Sequence, residues 1–347
     1  MLAAKIFYHN LNFLIPGGTS RGVLKNKPTW FIKIYHHNNP SVFGLGECGP
    51  IQGLSIESGD KMMDKLKKVQ ESINDLASLD LSLFPSINFG IENALKDLKN
   101  GGKRIIFKNS FLQGKPIKIN GLIWMGDKDF MINQIKSKIE KGFSCLKLKI
   151  GSIDFMEEIS ILKNIRKQFS SKILEIRVDA NGAFSSKNVL QKLDTLGKLE
   201  IHSIEQPIAV NQWDYLKEIC EKSPIPIALD EELIQFKKEK NEFIKYISPQ
   251  YLVLKPTLIG GFEATKKWIN IAEENHINWW VTSALESNVG LSAIAQFCAN
   301  YPLTLPQGLG TGQLFSNNIP SPLEIKGENI FYNENKTWDL SNFEKVK

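Results

Sequence analysis

Several residue types are scarce in this 347-residue chain, and each scarcity narrows its chemistry. The four cysteines, Cys48, Cys145, Cys220 and Cys298, show no CxxC spacing, which argues for reduced thiols in a cytoplasmic protein and against a disulfide framework. The five histidines, His9, His36, His37, His202 and His276, are too few and too scattered for a zinc site, so structural roles are expected for them. Only Arg21, Arg104, Arg166 and Arg177 are arginines, and the lysines behind the net charge of +6 are dispersed. No aromatic-interleaved basic stripe or DNA-reading motif accompanies them, so nucleic acid is not an expected partner. No apolar run approaches the ~18 residues of a membrane span, and polar residues break the N-terminal stretch, which reads as a first strand and not as a signal peptide. Neither GxGxxG nor GxxxxGK[ST] occurs, which removes the usual nucleotide-binding signatures.

What is present is a folded-protein composition, 42% apolar and 23% charged, in a chain long enough for one large barrel and a smaller companion. Five charged residues, Lys149, Asp179, Glu205, Asp230 and Lys255, each close a short apolar run, at spacings of 30, 26, 25 and 25 residues. That interval fits one βα unit per charge. From about residue 119 onward, strand-like runs alternate with amphipathic helical stretches, and counting them gives eight strands, from KINGLIWM to YPLTLPQG. Eight sequential units argue for a closed TIM-type (β/α) barrel in the α/β class, with functional residues at the C-terminal strand ends.

Residues 1–118 read instead as an α+β capping domain: strands around a polar GGTSRG loop, then helical patterns over about 58–79 and 85–100. The barrel is expected over 119–315. The tail, 316–347, carries short strands that do not continue the barrel and are expected to return to the capping domain.

Side chains alternate along a strand, so the phase that points Lys149 inward also points Lys147 inward. It likewise pairs Arg177 with Asp179, Ser203 with Glu205, Ala228 with Asp230 and Val253 with Lys255, and it sends His202 outward. One charge at a strand end is commonly a helix cap or simply solvated; acids on three consecutive strands flanked by lysines need another explanation. Three converging carboxylates repel one another unless a cation joins them. Asp179, Glu205 and Asp230 offer hard oxygens suited to Mg²⁺, with Mn²⁺ as an alternative. Glu231 and Glu232 compete with Asp230 in sequence, but the inward phase favours Asp230. Lys149, with Lys147 on the same face and a cation nearby, has its protonated form disfavoured and can serve as a base. The pattern points to proton abstraction next to a carboxylate of a small-molecule substrate, with the metal stabilising the charge that develops. Ser283, in the ALESNVG segment after the seventh strand, and Arg21, in the glycine-bounded loop, are candidate substrate-binding residues; Arg21 reads as part of a lid. Asn181 and Gln206 read equally as partners of these groups and as helix-start residues.

The motifs CLKLKIG (145–151), RVDANGA (177–183), IEQP (204–207), ALDEEL (228–233) and LKPTLIGG (254–261) resemble the enolase superfamily, in its muconate-lactonizing-type subgroup. GTSRGVL, GLGECGP, FGIENAL and INGLIWMG extend the likeness outside the barrel, toward the o-succinylbenzoate synthase family. This resemblance implies a metal-dependent syn-dehydration in menaquinone biosynthesis. In it Lys149 acts as base and then acid, Lys255 makes a cation–π contact on the opposite ring face, and Lys147 tunes Lys149. It also implies Mg²⁺ on Asp179, Glu205 and Asp230. N-succinylamino acid racemase and dipeptide epimerase chemistry in the same subgroup stay open, although QGLGTGQLF after the eighth strand lacks the acids by which the epimerases grip an ammonium group. A barrel that only binds a metabolite is the reading from a different class.

Overall fold

The computed structural model describes residues 1–19, 22–57, 59–234, 236 and 239–341. The first apolar alternation folds into β1 (Leu2–Thr19) and β2 (Gly22–His36), a long antiparallel hairpin with a register shift between Asn12 and Gly17. The GGTSRG segment is therefore mostly strand, because Gly17, Gly18 and Thr19 pair with Leu24, Val23 and Gly22. β3 (Asn39–Cys48) completes the sheet. Trp30, Ile32 and Ile34 bury one sheet face against Met62, Leu66 and Val69 of α1 (Gly59–Glu71) and against Ile87, Ile91 and Ala94 of α2 (Pro85–Lys99). The first helix ends earlier than the periodicity suggests, with only a 3₁₀ turn, Leu76–Ser78, beyond it. The glycines of GLGEC have a steric cause: a Cβ on Gly44 or Gly46 would fall 1.7 or 1.8 Å from backbone oxygens of α2, so the helix lies directly on bare strand.

The other sheet face is apolar too. Phe31 and Leu45 pack with Val289, Ile319, Trp338 and Leu340, which joins the sheet both to the barrel and to the C-terminal tail. Burial of each such large side chain contributes roughly 1.5–3 kcal/mol before entropy is counted.

The barrel begins after β4 (Ile117–Lys118) and contains seven parallel strands in sequential order. They alternate with helices as follows: β5 (Gly121–Ile123), α3 (Lys128–Glu140), β6 (Cys145–Lys149), α4 (Phe155–Gln168), β7 (Glu175–Asp179), α5 (Val189–Gly197), β8 (Ser203–Glu205), α6 (Trp213–Lys222), β9 (Ile227–Leu229), α7 (Glu231–Ile234), α8 (Lys240–Ile247), β10 (Tyr251–Leu254), α9 (Pro256–Ile259), α10 (Phe262–Glu274), β11 (Asn278–Val281) and α11 (Asn288–Cys298). Local signals start these helices: Asp127 and Asp154 accept amide hydrogen bonds as N-caps of α3 and α4, and Ser287 does so for α11.

The expected eighth strand is a correction. YPLTLPQG forms no strand; Gln307 and Gly308 alone bridge β11 to the chain before β5, through Gln307 N–H to Lys118 O (2.8 Å), Asn120 N–H to Gln307 O (3.0 Å), Gly308 N–H to Val281 O (2.8 Å) and Ser283 N–H to Gly308 O (3.0 Å). Two prolines, Pro302 and Pro306, lie within this stretch, and Pro306 lacks the N–H a ladder position needs. β4 pairs with the tail hairpin β12 (Leu323–Lys326) and β13 (Asn329–Tyr332), not with the barrel. Leu146, Leu148, Ile176, Val178, Ile204 and Leu229 face the helices in the main core, while Ala228, Val253 and Trp280 fill the barrel interior. Among the described residues, no helix is long and apolar enough to cross a membrane.

Candidate active site

The strand phase brings the charged residues together. Lys149, Asp179 and Glu205 stand in register across β6, β7 and β8, and Asp230 and Lys255 directly follow β9 and β10. One carboxylate oxygen from each of Asp179, Glu205 and Asp230 lies within 4.8 Å of the others, and all three residues are buried. The chain turns sharply just past these acids: Asn181 and Gln206 adopt left-handed φ values of 45° and 38°. Such conformations are strained for residues other than glycine and concentrate at functional sites.

Lysines contact every acid. Lys147 Nζ lies 2.9 Å from Asp179 Oδ2 and also touches Glu205; Lys149 Nζ lies 2.7 Å from Asp179 Oδ2 and 2.8 Å from Asn181 Oδ1; Lys255 Nζ contacts Asp230. Glu205 Oε1 and Asp230 Oδ1 are buried without a hydrogen-bond partner, as expected of oxygens that serve a cation. The donor set, all carboxylate oxygen, fits a hard divalent ion. Burial opposes ionisation of Asp179, but Lys147, Lys149 and Lys255 outweigh it and hold the carboxyl well below the usual range. Glu205 moves the other way, up to about 8, through burial first and then through repulsion from Asp179 and Asp230, against the pull of Lys147. Burial and the neighbouring Glu231 also raise Asp230. Burial works to lower Lys147 and Lys255, yet the carboxylates around each push both upward overall.

The two rival acids point elsewhere. Glu231 Oε1 accepts the Asn181 amide at 2.8 Å, and Glu232 accepts Trp213 Nε1 at 2.6 Å and the Asn211 amide at 3.1 Å. Gln206 braces the strand ends: its Oε1 accepts the Asp230 and Glu232 backbone N–H groups at 3.3 and 3.2 Å.

Lys147, Lys149, Lys255 and Asn181 open into a cavity of about 450 Å³, a size suited to a small molecule. Ser283 lines it, with Oγ 2.7 Å from Thr311 Oγ1. Arg21 lies outside the described residues, but its neighbours Gly22, Val23 and Leu24 reach the cavity wall. Asn120, Trp124 and Thr311 also line the cavity without having been singled out as site residues; Asn120 and Trp124 share the inward phase within INGLIWMG, which was the available signal. His202 corrects the phase argument. Instead of facing outward it packs on Tyr251, 5.0 Å between ring centroids, with Nε2 3.9 Å from Glu175, because the chain reaches β8 only at Ser203. All four cysteines are free and buried, with burial pushing the thiols up.

A barrel with acids on three successive strand ends and facing lysines defines the enolase class, and the chain belongs to the enolase superfamily: the Enolase C-terminal domain-like family model matches residues 131–331. It is 44% identical to the o-succinylbenzoate synthase of Desulfotalea psychrophila, over 92% of this chain and 95% of that protein. The crystal structure of MenC from Desulfotalea psychrophila LSv54 superposes with a TM-score of 0.85 at 40% identity, covering 95% of this chain and 99% of that one. More distantly, the chain is 28% identical to the N-succinyl-L-Arg/Lys racemase of Bacillus cereus over 79% of its length and 77% of the relative's.

Proposed function

We propose that this chain is an o-succinylbenzoate synthase, a hydro-lyase that converts 2-succinyl-6-hydroxy-2,4-cyclohexadiene-1-carboxylate into o-succinylbenzoate and water. The observation that carries the reading is that Lys149 and Lys255, separated by the three strands that bear the acids, line one cavity. The 44% identity to the curated synthase supports the same choice.

Lys149, unprotonated, takes the proton from the carbon next to the ring carboxylate. As the C–O bond on the same face breaks, the resulting ammonium returns that proton to the departing hydroxyl, water leaves and the ring becomes aromatic. One group serving one face accounts for a syn elimination. Lys255, kept protonated, faces the opposite side of the ring and stabilises its electron-rich state by a cation–π contact. Lys147 stays charged between Asp179 and Glu205, on the same strand face as Lys149. A divalent ion held by Asp179, Glu205 and Asp230, Mg²⁺ with Mn²⁺ as substitute, would supply positive charge for the substrate carboxylate. Ser283, which lines the cavity, is assigned to a carboxylate of the substrate. The product would be a menaquinone precursor, which supports a role in menaquinone biosynthesis, with the cytoplasm as the proposed compartment.

The test is the fall in cyclohexadiene absorbance on mixing substrate with purified protein, with Mg²⁺ and with chelator, beside Lys149→Ala. Metal-dependent turnover lost in the variant supports the reading. A folded, metal-loaded protein that leaves the substrate intact sinks it and directs attention to racemisation of N-succinylamino acids, which two opposed lysines also suit.

A further inference from the structure

Away from the metal acids, the seam between capping sheet and barrel buries three charges: Lys27 of β2, Glu47 of β3 and Glu286, which follows β11. The two oxygens of Glu286 serve two different turns. Its Oε2 accepts the Ala284 N–H at 2.8 Å, next to Ser283, and its Oε1 accepts the hydroxyl of Thr257. Thr257 belongs to α9, where the Leu258 and Ile259 amides bond back to the Lys255 carbonyl at 2.8 and 3.1 Å. One carboxylate thus ties the turn carrying Lys255 to the turn carrying Ser283.

The capping sheet holds the chain next to that carboxylate. Glu47 accepts the Ser287 N–H (2.8 Å), the Ser287 hydroxyl (2.5 Å) and the Gly290 N–H (2.9 Å), which fixes the start of α11 just beyond Glu286. A Cβ on Gly290 would sit 2.7 Å from Glu286 Cγ and 2.9 Å from Glu47 Oε2, so this approach requires glycine. Lys27 lies buried nearby with its Nζ unbonded, and acts only through space: burial lowers its basicity, and the charges of Glu47 and Glu286 oppose that loss. Lys27 lies on the same strand as Val23 and Leu24, which reach the cavity wall.

We propose that Glu286 is a positioning residue for the reaction: through Thr257 it aims Lys255, through Ala284 it aims Ser283, while Glu47 of the capping sheet fixes the chain just beyond it at Ser287 and Gly290. The assignment rests on the synthase reading for its kinetic consequence and on geometry for the rest. A misaimed group loses rate steeply, since displacement by about 1 Å costs on the order of 100-fold.

The experiment compares Thr257→Val, Thr257→Ser and Glu286→Gln with wild type by steady-state kinetics, thermal melting and crystallography. Thr257→Val should lower kcat by about 10-fold or more while KM changes less, Thr257→Ser should restore kcat, and the melting temperature of Thr257→Val should stay within about 4 °C of wild type. Wild-type kcat in both Thr257→Val and Glu286→Gln, with only a lower melting temperature, would show a merely structural clasp and overturn the proposal. Wild type that fails to turn over the substrate sinks the synthase reading alone. The crystal structures then decide the positioning: Lys255 displaced from Asp230 in Thr257→Val supports it, and an unmoved Lys255 overturns it.

Discussion

Asn181 accepts a hydrogen bond from Lys149 at 2.8 Å, and its own amide is anchored on Glu231 at 2.8 Å. The anchor fixes which end of the amide faces the lysine, because a carboxylate accepts only from the NH₂ group. Asn181→Ala should therefore leave the fold and metal affinity close to wild type but lower kcat by about 10- to 100-fold through a wandering Lys149. Lys149→Ala should lose about 10²- to 10⁴-fold, the usual span for removing a general base. Steady-state kinetics of the two variants would check the ranking; an Asn181→Ala enzyme with full kcat would contradict it.

Binding of a divalent ion should stabilise the chain. The triad binds only when folded, so free Mg²⁺ at 100 times its dissociation constant should add about 2.7 kcal/mol. Melting curves with Mg²⁺ and with chelator would show the rise, and Asp230→Asn should reduce or abolish it. An equal shift in that variant would mean that the ion binds elsewhere.

His202 gives a pH dependence of stability distant from the triad. Its ring faces Tyr251, Glu175 and Arg177, and burial outweighs the pull of Glu175, so its pKa in the folded chain lies below the ordinary value of 6.5. The unfolded chain then takes up a proton that the folded chain refuses. The stabilisation is present above about pH 6.5 and is lost as the pH falls below it, by at most about 1.4 kcal/mol per pH unit. Denaturant midpoints of wild type and His202→Gln between pH 7.5 and 5.5 should show a shallower fall in the variant. Parallel curves would rule His202 out as the source.

Trp280 fills the barrel interior beneath the site and carries the Arg177 guanidinium 4.3 Å above its ring. Trp280→Ala should cost about 3–5 kcal/mol through the cavity it leaves. A loss below 1 kcal/mol in urea unfolding, taking that as roughly the scale of a surface change, would mean that the interior closes over the gap.

The barrel, its phase and the clustering of Asp179, Glu205 and Asp230 were legible because each depends on a local pattern: a βα interval of 25–30 residues and alternation within a strand. The buried cluster of Lys27, Glu47 and Glu286 was not, because its members lie far apart in sequence and leave no periodicity; only the position of Glu47 at the end of an apolar strand marked it. His202 was misplaced because alternation was extended beyond the first residue of β8, where the strand no longer enforces it. The eighth strand was overcounted because YPLTLPQG is apolar enough for a strand while its prolines limit pairing.

The replacement of that strand by Gln307 and Gly308 makes the barrel a split ring, fastened at one point. Gly308 sits so close to Thr282 that an added Cβ would fall 2.1 Å from its hydroxyl oxygen, so the fastening has no slack to take up a side chain. Beside it stand Ser283 and Thr311, which form part of the cavity wall. On warming, the amides of Gln307 and Gly308 should exchange their hydrogens before those of β6 to β10. The catalytic pocket would then loosen from this side first, and the enzyme would fall silent at a temperature where most of the ring is still intact.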